Sequence, residues 1–229
     1  MGYRWLLFDA DGTLFDYDNA EGTALELTLG HFGCTLRPET RALYRSLNGE
    51  LWRELEAGTV TAEALRYLRF ERLFAELDLP VARGREAGEY YLVQLASYGK
   101  LLPGAEDVVR TCAAVARLAI ITNGLADVQR RRLGESPIAE LFETITISDE
   151  IGIAKPDRRI IDLTLGALGD PPRSEVLIIG DSLTSDIQGG INAEIDTCWL
   201  SPDGVEAPAD GPQPTHTLTR LEDLLGLVG

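Results

Sequence analysis

The feature that most constrains this chain is an apolar run that ends in two closely spaced aspartates. Trp5-Leu6-Leu7-Phe8 is followed directly by Asp9-Ala-Asp11-Gly12. Four bulky apolar residues in a row are typical of a strand buried in a parallel sheet, and open α/β sheets carry their sites at the C-terminal ends of the strands. Two carboxylates at positions i and i+2 leave a strand on the same side. The pair can therefore share a hard cation such as Mg²⁺, or divide the work of nucleophile and acid/base.

An ordinary Asp-Gly turn that closes a strand would look the same in this short segment. A calcium loop fits less well, because Gly12 is the fourth residue of the run and an EF-hand needs its glycine sixth. Three distant segments help to distinguish a simple turn from a catalytic site, since each of them also pairs an apolar run with polar residues. They are residues 118–121 before Thr122-Asn123-Gly124, residues 151–154 before Lys155-Pro156, and residues 176–179 before Gly180-Asp181, with Asp186 five residues further on.

The order Asp-x-Asp, Thr, Lys and Gly-Asp-x₄-Asp resembles the four motifs of the haloacid dehalogenase superfamily of aspartyl-phosphate phosphatases. The resemblance implies an α/β fold, a doubly wound parallel sheet with an inserted α-helical cap. It also implies roles for individual residues: Asp9 as the nucleophile, Asp11 as the general acid and base, and Thr122, Asn123 and Lys155 around the phosphate. Mg²⁺ would be bound by the carboxylates of Asp9 and Asp181 and the main-chain carbonyl of Asp11, with Asp186 orienting the metal shell or Lys155. A halide needs no protonation to leave, so the acid at position 11 favours phosphate esters over carbon–halogen bonds as substrates.

Charge limits the partners. The net charge is −16, from 37 acidic and 21 basic residues, and such a surface repels nucleic acid polymers and anionic membranes. Small phosphorylated metabolites remain possible, because a divalent ion and one lysine can reverse the field locally. Lys100 and Lys155 are the only lysines among the 21 basic residues. A compact ammonium kept at position 155 favours a point-charge contact with phosphate.

The chain changes character twice along its length. Residues 18–98 show only helical periodicity, clearest from Thr61 to Leu79, and Thr61 is the predicted N-cap of that helix. From residue 101 onward helices alternate with strands, which predicts a parallel sheet, and a last helix is predicted over residues 218–227. We therefore predict a catalytic core of residues 1–16 and 99–229 and a helical cap of residues 17–98. The start runs directly into a strand, no apolar stretch reaches the roughly 18 residues of a membrane span, and the expected location is the cytoplasm.

Two other classes share part of the pattern. Gly180-Asp181-Ser182-Leu183 matches the signature of a serine esterase family, but no histidine is spaced as the base that the serine would need. A phospho-receiver signalling domain also combines acidic residues, a threonine and Lys-Pro, but has no large helical insert after the first strand.

Further stretches bear on the substrate. Residues 121–124 followed by Gln129 and Arg132-Leu133, residues 189–193, Cys198-Trp199 and Leu51-Trp52 resemble the bacterial pyrimidine 5′-nucleotidases of the same superfamily. The implied substrate is a nucleoside 5′-monophosphate, and the alternative is phosphoglycolate or a sugar phosphate. Stacking surfaces for a base would come from the cap, which also needs aromatic residues for its own core. The candidates are Trp52, Tyr67, Phe70 and Tyr91.

Overall fold

The computed structural model describes residues 2–228, apart from the side chain of Glu56. The chain divides into two compact units. One contains the residues up to Tyr17 together with those from Gly99 onward, and the other is Asp18–Tyr98. The second unit is inserted between the first strand of the first unit and the rest of it.

The first unit is built on a six-stranded sheet in which all neighbouring strands are parallel, in the order β3-β2-β1-β4-β5-β6. The strands are β1 (Trp5–Phe8), β2 (Arg117–Thr122), β3 (Thr144–Ile147), β4 (Val176–Gly180), β5 (Asp196–Leu200) and β6 (His216–Leu218). Strand β1 is central, with Leu7 beside Ala119 of β2 and Ile178 of β4. The chain builds outward on one side of β1 and then on the other, so the strand order reverses there. In α/β sheets this switch point is where a crevice forms and ligands bind.

Both faces of the sheet are covered. Leu6 and Phe8 belong to the core on one face, while Leu7 belongs to the core on the other. This alternation explains the unbroken apolar run of β1, since a strand buried on both faces has no polar side. The helices of this unit are α5 (Ala105–Ala113), α6 (Ala126–Gly134), α7 (Ser148–Ile151), α8 (Arg158–Ala167) and α9 (Gln188–Asn192). The doubly wound parallel sheet predicted from the sequence is confirmed.

The second unit is helical throughout, as predicted. Its helices are α1 (Tyr17–His31), which begins one residue before it, α2 (Pro38–Glu56), α3 (Ala62–Glu76) and α4 (Gly84–Ala96). The predicted N-cap is confirmed, because Thr61 Oγ1 accepts a hydrogen bond of 3.1 Å from Ala64 N–H. Phe70 and Tyr91 are fully buried and pack together with ring centroids 5.2 Å apart. They therefore fill the core of this unit rather than present an open stacking surface.

The predicted last helix, residues 218–227, is present only as a shorter 3₁₀ helix, and the strand before it was not predicted. Residues 216–218 form β6, which extends the sheet beside β5, and a 3₁₀ helix follows at Leu221–Gly226. A strand of three residues leaves almost no periodic pattern, and its hydrogen bonds go to a strand distant in sequence, so local periodicity did not predict β6. Within residues 2–228, no helix combines the length and the apolar character needed to cross a membrane.

Candidate active site

The first, second and fourth motifs lie at the C-terminal ends of adjacent strands. Asp9 follows β1, and its N–H donates a hydrogen bond of 2.8 Å to the carbonyl of Ile179, which continues the pairing of β1 with β4. Thr122 is the last residue of β2, and Asp181 directly follows β4. Three segments far apart in sequence therefore bring their polar residues to the same edge of the sheet.

Lys155 joins these segments through a buried ammonium group. Its Nζ donates to Asp9 Oδ1 at 2.6 Å, to Asp186 Oδ1 at 2.6 Å and to the carbonyl of Ile121 at 2.7 Å. An ammonium has three N–H groups, so all three are used. Burial alone lowers the pKa of Lys155, but the charges of Asp186 and Asp9 more than offset it and the pKa is raised. Lys155 is therefore a permanent positive charge beside Asp9.

Three carboxylates cluster around this charge. Oxygens of Asp9, Asp181 and Asp186 all lie within 4.8 Å of one another, with Asp9 and Asp186 buried and Asp181 reaching solvent. Burial raises the pKa of Asp9 well above its usual range, Lys155 opposes that shift, and the other two carboxylates add to it. Desolvation of the Asp181 carboxylate by the surrounding protein, followed by repulsion from the charge of Asp186, raises the pKa of Asp181 to about 7.

The cluster is short of positive charge. Three carboxylates and one ammonium leave a formal excess of two negative charges. A divalent cation would balance that excess, and hard cations such as Mg²⁺ prefer carboxylate oxygens. The donor set therefore fits a magnesium ion.

Gly12 allows the fourth motif to approach the first. Its φ of +80° lies in the left-handed region, and a Cβ at this position would lie 2.2 Å from Asp181 Oδ2. Any other residue would be strained and would push the Asp181 carboxylate away. Gly12 is therefore required both for the close approach of the two motifs and for the turn of the chain.

The loop after β4 is fixed by its own hydrogen bonds. Residues 183–187 form a π-helix, a rare element often found at functional sites. Asp186 Oδ2 accepts from Ser182 N–H at 3.0 Å, while its other oxygen binds Lys155. Trp199 Nε1 donates to the carbonyl of Asp181 at 2.8 Å. Trp199 therefore supports the loop that carries Asp181.

The Thr122-Asn123 segment is ordered around Lys155. Asn123 Nδ2 donates to the carbonyl of Lys155 and its Oδ1 accepts from Lys155 N–H, both at 2.8 Å. Thr122 is buried, and its Oγ1 accepts from Gly124 N–H at 3.1 Å. The Asn123 side chain thus fixes the main chain of Lys155, and the phosphate contact expected of Asn123 stays a prediction.

The Asp11 side chain is held by α6. Asp11 Oδ2 accepts from Gln129 Nε2 at 2.6 Å, and Oδ1 forms an ion pair of 2.6 Å with Arg132 Nη1. Sequence reasoning grouped Gln129 and Arg132 only by resemblance and missed this contact. The i, i+3 spacing, next to the apolar Val128 and Leu133, places the two residues on one helix face, but it does not identify what that face contacts.

The remaining predicted residue is Trp52, which lies on α2 in the helical unit with a half-buried side chain. Its proposed contact with substrate stays a prediction. The serine that suggested an esterase is used locally, since Ser182 Oγ accepts from Ser185 N–H at 3.2 Å. His216 is engaged elsewhere, with its Nε2 2.9 Å from the hydroxyl of Tyr3.

Residues 3–194 match the family of haloacid dehalogenase-like hydrolases. The chain therefore belongs to this family, and the fold and the order of its motifs agree with that membership.

Its relatives include two named pyrimidine 5′-nucleotidases. YjjG of Escherichia coli strain K12 is 36% identical over 98% of this chain and 97% of its own length. PynA of Streptococcus pneumoniae is 35% identical over 98% of this chain and 94% of its own length. A solved structure of the putative HAD-hydrolase YfnB from Bacillus subtilis, bound to magnesium, has a TM-score of 0.91 and 33% identity, and the match covers 99% of this chain and 98% of that one.

Proposed function

We propose that this protein is a Mg²⁺-dependent phosphomonoester hydrolase that works through a phosphorylated Asp9. The main support for this proposal is the environment of the Asp9 carboxylate, which is buried at the switch point of the sheet. Its Oδ1 accepts a hydrogen bond from Lys155, and two further carboxylates lie close to it. Lys155 occupies one oxygen of Asp9, and the other is the one that we propose attacks phosphorus. Phosphoryl transfer depends mainly on alignment and on neutralising charge. This arrangement would supply the alignment and the charge of Lys155, and a bound Mg²⁺ would supply the remaining positive charge.

The reaction would run in two steps. In the first, the Asp9 oxygen bonds to phosphorus, the ester P–O bond breaks, and the leaving oxygen takes a proton from the Asp11 carboxyl group. In the second, water attacks phosphorus, gives a proton to the Asp11 carboxylate, and the bond between Asp9 and phosphorus breaks. Each proton that Asp11 loses is thus returned, and the products are an alcohol and inorganic phosphate.

The other residues stabilise charge. Mg²⁺ bound by the carboxylates of Asp9 and Asp181 and by the Asp11 carbonyl would supply the positive charge that lets a phosphate dianion approach the nucleophile. Lys155 adds a fixed charge, and Asp186 holds the ammonium in place. Thr122 Oγ1 already accepts from Gly124 N–H, which leaves its hydroxyl hydrogen to donate to a phosphate oxygen. The magnesium-bound structure of the similar YfnB supports this choice of metal.

For the substrate, we propose a nucleoside 5′-monophosphate with a pyrimidine base, a small cytoplasmic metabolite. Support comes from the names of YjjG and PynA, which this chain matches over 97% and 94% of their lengths. The helical unit would act as the cap that selects the substrate, with Trp52 as a stacking residue.

A panel of phosphate esters tests this proposal. With Mg²⁺ present, we expect kcat/KM to be highest for UMP, dUMP and dTMP. Purine monophosphates should have a kcat/KM lower by roughly 10- to 100-fold, which is the discrimination that a single pocket contact typically provides. Di- and triphosphates should be poor substrates, and EDTA should abolish turnover of every ester.

Two outcomes of the panel would contradict different parts of the proposal. If phosphoglycolate or a hexose phosphate exceeded every nucleotide, the assigned substrate would be wrong and the chemistry would stand. If p-nitrophenyl phosphate and every other ester were inert with Mg²⁺, the phosphatase assignment itself would be wrong.

A further inference from the structure

We propose that Gln129 and Arg132 are positioning residues for Asp11, and that Gly124 provides the space that Gln129 needs. This inference rests on the proposed function, in which Asp11 exchanges protons with the leaving group and water. It assigns the Gln129 and Arg132 pair, which the nucleotidase resemblance singled out, to the chemical step and not to recognition of the base.

The two oxygens of Asp11 are held separately. Gln129 Nε2 lies 2.6 Å from Oδ2, and Arg132 Nη1 lies 2.6 Å from Oδ1. The hydrogen bond from Gln129 orients the carboxyl group, whereas Arg132 holds Oδ1 by charge alone, since the buried Arg132 nitrogens and Asp11 Oδ1 make no hydrogen bond within the described part of the chain. A carboxylate has about four lone-pair positions, so both contacts leave room for the proton that is transferred.

The burial of Arg132 is the strongest evidence that this residue has a specific role at Asp11. Its side chain is 0% exposed, and among the described residues its ion-pair partner is Asp11. Its guanidinium also lies 4.8 Å from the ring centroid of Phe15, whose carbonyl accepts from Gly12 N–H in the same turn as Asp11. Arg132 therefore contacts the carboxylate and the end of the turn that carries it.

The neighbouring arginines of α6 show what an ordinary position on this helix looks like. The side chains of Arg130 and Arg131 are about half exposed and pair with Glu150 and Glu135. Burying a guanidinium costs several kcal/mol unless it is well paired. Of the three consecutive arginines, the one that is buried is the one that reaches Asp11.

Gly124 is a second, independent observation. A Cβ at this position would lie 2.3 Å from Gln129 Nε2 and 2.7 Å from its Cγ. A side chain at position 124 would therefore displace the Gln129 amide that binds Asp11. Gly124 therefore affects Asp11 indirectly, through the position of Gln129.

Positioning matters most when the leaving oxygen needs a proton. A displacement of about 1 Å can lower a rate by about 100-fold, and an alkoxide or a phenolate of high pKa leaves slowly without an acid. p-Nitrophenolate leaves without help. Loss of positioning should therefore slow phenyl phosphate much more than p-nitrophenyl phosphate, whereas general damage to the site slows both.

The test compares kcat/KM for these two esters in Gln129→Met, Arg132→Met and Gly124→Ala. We expect phenyl phosphate to fall by about 10- to 100-fold in the first two variants while p-nitrophenyl phosphate falls less than about 3-fold. Gly124→Ala should change the ratio of the two rates in the same direction by roughly 3- to 10-fold, because the three atoms nearest the added Cβ all belong to Gln129. Asp11→Asn sets the upper limit of the change.

Arg131→Met is the matched control, since it removes an exposed arginine from the same helix, and its ratio should equal that of the wild type. Equal losses on both esters, or unchanged rates, in Gln129→Met and Gly124→Ala would overturn the inference. These two variants decide the result even if Arg132→Met fails to fold. Wild-type enzyme that is inactive with Mg²⁺ on p-nitrophenyl phosphate and on every other ester would instead refute the proposed function, so the two failures are distinguishable.

Discussion

Asp9→Asn is expected to lower kcat by at least about 1,000-fold, a rise of at least about 4 kcal/mol in the activation barrier. An amide oxygen is a poor nucleophile, and the substitution also removes one negative charge from the group that would bind Mg²⁺. The fold should persist, because asparagine has nearly the same shape and Lys155 keeps its ion pair of 2.6 Å with Asp186. Steady-state kinetics on UMP and p-nitrophenyl phosphate measures the loss, and circular dichroism reports the fold.

Asp203→Asn is a suitable control, since it makes the same chemical change in an exposed loop. Its kcat should match that of the wild type. An Asp9→Asn protein that kept more than about a tenth of wild-type kcat, a loss of only about 1.4 kcal/mol, would show that Asp9 is not the nucleophile.

Lys155→Met is expected to damage both activity and stability. The variant would leave the buried carboxylates of Asp9 and Asp186 without their ammonium partner, and breaking a buried ion pair typically costs about 3–5 kcal/mol. The free energy of unfolding, measured with urea, should fall by about that amount. Turnover should fall by at least about 100-fold, because the charge beside the nucleophile and the phosphate is lost.

The chain offers a matched control, because its only other lysine is exposed. Lys100 is 68% exposed and pairs with Asp16 at 3.7 Å. Lys100→Met should change the free energy of unfolding by less than about 0.5 kcal/mol and leave kcat unaltered. If Lys155→Met were as stable and as active as Lys100→Met, the role that we propose for Lys155 would be wrong.

The fold could be predicted because its central strands are recognisable in the sequence as continuous apolar runs. A strand buried on both faces must be apolar throughout, so β1, β2 and β4 stand out in the sequence, and the polar residue after each marks the end of the strand. Parallel pairing then places Asp9, Thr122 and Asp181 at one edge without further information. Helix α3 was predictable for a local reason, its N-cap at Thr61.

What could not be predicted depends on contacts between distant segments. Arg132 follows two other arginines, and only the orientation of α6 against the Asp11 turn decides that it is the buried one. The π-helix that carries Asp186 and the short edge strand β6 likewise depend on neighbours far along the chain. The pairing of Asn123 with the main chain of Lys155 had no local signal at all.

The most direct test of the central claim is to trap the phosphorylated enzyme. Protein mixed with substrate and Mg²⁺ and quenched in acid within one turnover can be treated with borohydride, which reduces an acyl phosphate to the alcohol. Peptide mass spectrometry then shows where the chain was phosphorylated. We expect homoserine in place of aspartate at position 9, and none at this position in protein incubated without substrate. Reduction at another carboxylate, or an unmodified Asp9 in enzyme that is turning over substrate, would contradict the account.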